Sequence, residues 1–134
     1  MHRILIVDDE ESIRFAMSEY FKTHGYLVDC AQDVREAEAN LTCHSYSVVI
    51  ADLRLEGLGD IGGLEVVRLV EERYPETRVI VLSAYGAPEV EEETGRYGIR
   101  IFLRKPQPLP EVAQIVLGLL EVDAGRSKGL PAVR

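Results

Sequence analysis

The sequence has 134 residues, 46% hydrophobic and 28% charged, which suits one globular core and leaves no room for a second domain of ordinary size. A formal net charge of −8 excludes a general binder of nucleic-acid backbones, because such proteins need clustered Lys and Arg to displace counterions, so no direct nucleic-acid contact is expected. No apolar run approaches the roughly 20 residues of a membrane span, and acidic residues follow the apolar stretch of MHRILIVDDE at once, so no membrane contact and a cytoplasmic location are expected.

Arg3 to Val7 (RILIV) is a continuous apolar run rich in β-branched residues, the signature of a strand covered on both faces. Glu11 to Thr23 carries Ile13, Ala16, Met17, Tyr20 and Phe21 at helical spacing, and Gly25 falls where a left-handed cap ends a helix. Leu27 to Cys30 reads as a second strand, and Asp33 caps a helix that continues to about Leu41 with Val34, Ala37 and Leu41 on one stripe. Ser47 to Ala51 repeats the buried-strand pattern, Gly63 to Arg73 the helical one, and Arg78 to Leu82 the strand again. A helix near Pro88 to Thr94, a strand at Arg100 to Leu103 and a last helix from Leu109 to Leu120 complete five β-α units. Strict alternation with short links predicts an α/β fold, a doubly wound parallel sheet with helices on both faces.

From about Val122 to Arg134 the apolar period is lost and Gly, Ser, Pro and basic residues accumulate, so residues 1–121 are expected to form the domain and 122–134 a flexible tail or truncated linker. Cys30 and Cys43 lack metal-type spacing and read as free thiols, and His2, His24 and His44 stand singly, which argues against zinc.

In such sheets the functional site lies beyond the carboxyl ends of the strands. The residues there are Asp8 and Asp9 after the first strand, Asp52 after the third, Ser83 after the fourth and Lys105 after the fifth. Three carboxylates in one cleft repel by about 4 kcal/mol per pair at 4 Å and an effective dielectric of 20, so a cation is expected among them. Oxygen donors without sulfur or imidazole favour a Mg²⁺-type ion, which readily binds phosphoryl oxygens. Lys105 adds a fixed positive charge and Ser83 a hydroxyl donor. Phosphoryl transfer needs mainly positioning and charge neutralisation, so this set around a carboxylate nucleophile suffices, and Asp52, alone on the middle strand, is the natural nucleophile.

The segments ILIVDDE, VVIADLRL, VIVLSAYG and IFLRKP, in this order, resemble the characteristic segments of response-regulator receiver domains of two-component signal transduction, over roughly Arg3 to Leu120. The resemblance implies a flavodoxin-like, CheY-like (β/α)5 fold with five parallel strands in the order 2-1-3-4-5. It implies Asp52 as phosphoacceptor and Mg²⁺ ligand, Asp9 as a direct ligand, Asp8 acting largely through water, and the backbone carbonyl of Arg54 as a further ligand. Ser83 and Lys105 match the residues that contact the phosphoryl group, and Phe102 falls at the aromatic switch position. The expected donor is a histidine kinase, phosphotransfer protein or small phosphodonor, and the expected reader an output domain or downstream protein. Catalysis is limited to the domain's own phosphorylation and slow dephosphorylation. A homodimer through the Pro88–Thr94 helix, the fifth strand and the last helix is also expected.

Singly, Asp8 to Glu10 also read as helix-capping acids, Asp52 as a loop cap, Ser83 as a turn hydroxyl and Lys105 as a solvated charge, but jointly the site reading prevails; Phe102 also reads as core, and its switch role is only what the resemblance implies. The chain departs from the family after Asp52, where LRLEGLGDIGGLE puts Glu56 in a proline's place and adds roughly three residues, and after Lys105, where Gln107 and Pro108 replace the usual aromatic. Gly95 and Pro88 weaken the helix near Pro88 to Thr94. Two rivals are a haloacid-dehalogenase-like phosphohydrolase, which needs a DxD nucleophile on the first strand, and a receiver-like binding module that is not phosphorylated.

Overall fold

A computed structural model describes residues 2–52, 62–83, 101–104 and 108–125. In chain order the elements are β1 (Arg3–Val7), α1 (Glu11–Thr23), β2 (Leu27–Ala31), α2 (Val34–Cys43), β3 (Val48–Asp52), α3 (Gly62–Arg73), β4 (Arg78–Ser83), β5 (Ile101–Arg104) and α4 (Leu109–Gly125). The strands form one parallel sheet in the order β2-β1-β3-β4-β5, the order expected of the doubly wound fold. The helix expected near Pro88 to Thr94 lies outside the described residues.

Successive strand side chains point to opposite faces, so a continuous apolar strand feeds two cores at once. Leu5, Val7, Val49, Ala51, Val79 and Val81 pack on one side with Ala37 and Leu41 of α2 and Val66, Val67 and Val70 of α3. Ile4, Ile6, Val48, Ile50, Ile80 and Leu82 pack on the other with Met17 and Phe21 of α1 and Val112, Val116 and Leu120 of α4. Each fully buried side chain of this size contributes about 1.5–3 kcal/mol.

Local chemistry sets the helix ends. Gly25 has φ 92°; its N–H donates to the Lys22 carbonyl and that of Tyr26 to the Phe21 carbonyl, the paired closure that a left-handed residue allows. Asp33 caps α2 by accepting from the Glu36 N–H at 2.9 Å, and the Glu36 carboxylate accepts in return from the Gln32 N–H. The last helix runs to Gly125, five residues past the expected Leu120. Residues 122–125, expected in the tail, are therefore helical, because Glu121 to Ala124 can continue a helix after its apolar stripe has ended. Cys30 and Cys43 are both free thiols, and burial pushes the Cys30 thiol up. No helix among the described residues is long and apolar enough to cross a membrane.

The amino end of the sheet carries a polar network. Tyr46, buried ahead of β3, donates its hydroxyl to Asp29 Oδ2 at 2.6 Å, and Arg3 donates to the same oxygen at 2.8 Å. Burial works against the Asp29 carboxylate, but the hydrogen bonds from Tyr46 and Arg3 and the Arg3 charge outweigh it and hold its pKa below the ordinary value. Burial first, then the Asp29 carboxylate, push the Tyr46 hydroxyl up. A lowered carboxylate stabilises the fold above its unfolded pKa of about 3.9 and loses that contribution as pH falls through the folded value. Tyr46→Phe is expected to cost about 1–2 kcal/mol at pH 7 in urea unfolding, with the cost shrinking as pH drops below about 4.

Candidate functional site

Register brings the acids together. Val7 of β1 pairs with Ala51 of β3, so the next residues, Asp8 and Asp52, stand side by side at the carboxyl edge of the sheet, with Asp9 one residue on. One carboxylate oxygen from each of Asp8, Asp9 and Asp52 lies within 4.8 Å of the other two. Asp8 is 2% exposed and Asp52 8%, while Asp9 is not buried, so the cluster opens toward solvent through Asp9. At that spacing and an effective dielectric of 20, each ionised pair repels by about 3.5 kcal/mol.

Asp8 is held at three further points. Its N–H donates to the Ala31 carbonyl at 3.0 Å, its Oδ1 accepts from the Glu10 N–H at 2.9 Å, and its carbonyl accepts from Arg14 Nη1 at 2.8 Å. Glu10, the residue that opens α1, makes no side-chain cap of its own; Asp8 supplies an acceptor at that end instead. A half-buried trio of carboxylates with only oxygen donors is a donor set that fits a hard divalent cation.

The remaining expected residues are described only in part. Asp52 pairs with Leu82, which places the backbone of Ser83, the last residue of β4, at the same edge. Phe102 lies within β5, its backbone in register with Val81. Arg54 and Lys105 lie outside the described residues, Lys105 immediately after the end of β5. Pattern reading did not single out Arg14, whose contact with Asp8 carries no signal beyond a basic residue early in a helix.

Comparison with known proteins places this geometry. The family model for the response regulator receiver domain matches residues 4–117. The chain belongs to the response regulator receiver domain family. It is 32% identical over 114 residues to the photosynthetic apparatus regulatory protein RegA of Cereibacter sphaeroides, an alignment that covers 85% of this chain and 60% of RegA. The chain thus spans less than two thirds of the length of that curated relative. Among solved structures, the beryllofluoride-activated NtrC4 receiver domain dimer superposes with a TM-score of 0.80 at 30% identity, over 90% of this chain and 98% of that one. The response regulator TrrA of Thermotoga maritima, in complex with Mg²⁺ and beryllofluoride, gives 0.76 at 29% identity, over 89% and 99%. This receiver domain is a signalling module of a two-component system rather than a member of a turnover-enzyme family, which sets aside the haloacid-dehalogenase reading.

Proposed function

We propose that this receiver domain takes a phosphoryl group on Asp52, with Mg²⁺ held by Asp8, Asp9, Asp52 and the backbone carbonyl of Arg54. The observation that carries the reading is the meeting of the three carboxylates within 4.8 Å at the carboxyl edge of the sheet. An oxygen of Asp52 attacks phosphorus, the bond from phosphorus to the donor breaks, and the donor keeps the electron pair. Asp8 already accepts the Glu10 N–H, which fits a role largely through water, whereas the more open Asp9 suits direct ligation. When bound, Mg²⁺ supplies neutralisation of charge on the phosphoryl oxygens. Ser83 donates its hydroxyl and Lys105 its charge to the same oxygens, and Phe102 follows them as a switch.

The donor in this reading is a histidine kinase or phosphotransfer protein, and the phosphorylated state is read by an output domain or a downstream protein. Residues 1–121 act as the receiver unit and 122–134 as its tail or linker. A homodimer forms through β5, α4 and the segment Pro88 to Thr94; NtrC4, a similar receiver, is a dimer in its activated form. The domain works in the cytoplasm, touches neither membrane nor nucleic acid directly, and catalyses only its own phosphorylation and slow dephosphorylation.

Beryllofluoride, a phosphoryl mimic, tests the reading in thermal unfolding. At a hundred times its dissociation constant, a ligand of the folded state adds about 2.7 kcal/mol, so Mg²⁺ with beryllofluoride is expected to raise the midpoint of the wild-type chain by several degrees. Absence of any rise beyond that given by Mg²⁺ alone defeats the assignment.

A further inference from the structure

We infer that Arg14 is a positioning residue for the proposed metal site, setting Mg²⁺ affinity through its hydrogen bond to the Asp8 carbonyl; the inference rests on the function proposed above. Arg14 lies in α1 and its Nη1 reaches back 2.8 Å to the Asp8 carbonyl oxygen. That carbonyl and the N–H of Asp9 belong to one planar peptide unit, so fixing the carbonyl direction also fixes the plane from which the Asp9 side chain departs. The other two tethers leave this rotation open: the Asp8 N–H to Ala31 holds the preceding peptide, and the Asp8 Oδ1 to Glu10 holds the side chain. The Arg14 hydrogen bond, by contrast, acts on the peptide joining the two acids.

Two effects of Arg14 on a bound cation oppose each other. Orientation of the acids strengthens binding, whereas a guanidinium beside the site repels a divalent ion. The geometry favours orientation, because the guanidinium donates to the Asp8 carbonyl and so acts directly on the peptide that joins the two acids. Supporting contacts of this kind typically change metal affinity by tenfold or more.

The test is calorimetric Mg²⁺ binding to the 134-residue chain, with thermal unfolding and acetyl phosphate labelling of the same samples. Arg14→Met keeps the apolar stem and removes the donor; it is expected to weaken Mg²⁺ binding about tenfold, with labelling returning to near the wild-type level once Mg²⁺ is saturating. Arg14→Lys keeps the charge and one donor, and its affinity is expected to fall between those of wild type and Arg14→Met. Unchanged affinity in either variant overturns the inference, whatever happens to the unfolding midpoint. Tighter binding by Arg14→Met also overturns it and assigns Arg14 a purely repulsive role. Absence of Mg²⁺ binding by wild type defeats the proposed function itself and the inference with it.

Discussion

Asp52→Ala is expected to reduce Mg²⁺-dependent labelling by acetyl phosphate by roughly a thousandfold or more, because removing a nucleophile deletes the bond-forming atom rather than weakening a contact. In the proposed reading Asp8 and Asp9 hold the metal rather than the phosphoryl group. Asp8 Oδ1 is engaged by the Glu10 N–H, and both belong to the loop after β1 rather than to the central strand. Intact-mass measurement of the phosphorylated chain and its alanine variant reads the result directly. Equal labelling of both proteins ends the assignment, and labelling of neither supports the non-phosphorylated binding module.

Phe21→Ala is expected to cost about 3–5 kcal/mol, read from urea unfolding. Phe21 has no exposed surface and lies in the core that joins α1 and α4 to the sheet. Its ring meets Tyr20 edge-on at 5.8 Å and Tyr26 at 6.0 Å, so truncation removes aromatic contacts as well as area. Its carbonyl accepts the Tyr26 N–H in the turn that closes α1, so a cavity there also loosens the helix end. Against a total stability of about 5–15 kcal/mol for a domain of this size, the loss leaves little margin at 37 °C. Phe15→Ala, at a site 67% exposed on the same helix, is the control and is expected to change stability by no more than about 0.5 kcal/mol. A cost below about 1 kcal/mol for Phe21→Ala would show that the site collapses around the missing ring.

The fold was legible because its strands are buried on both faces and announce themselves as unbroken apolar runs such as RILIV and RVIVL. Strand ends were less legible: β3 takes in Asp52 and β4 takes in Ser83, polar residues that apolar patterning assigns to the loops beyond. The same difficulty explains α4, which continues through Val122 and Asp123 because helix propensity persists where the core-facing stripe stops. The acid trio was readable from its place at neighbouring strand ends, a consequence of parallel topology rather than of local sequence. What pattern could not supply was side-chain reach. Tyr46 meets Asp29 across 17 positions, and Arg14 reaches Asp8 back over the start of its own helix, and neither pairing leaves a periodic trace.

The position of β3 has a mechanical consequence. Its five residues are all buried, and it has a hydrogen-bonded neighbour on each side, with β1 likewise enclosed between β2 and β3. Amides so enclosed are expected to open only with the whole domain, which makes these two strands an anvil beneath Asp52 that stays put under the phosphorylation proposed above. If Asp52 is phosphorylated as proposed, displacement is expected first at the sheet's outer strands, β2 and β5, each of which has a hydrogen-bonded strand on one side only in the order β2-β1-β3-β4-β5.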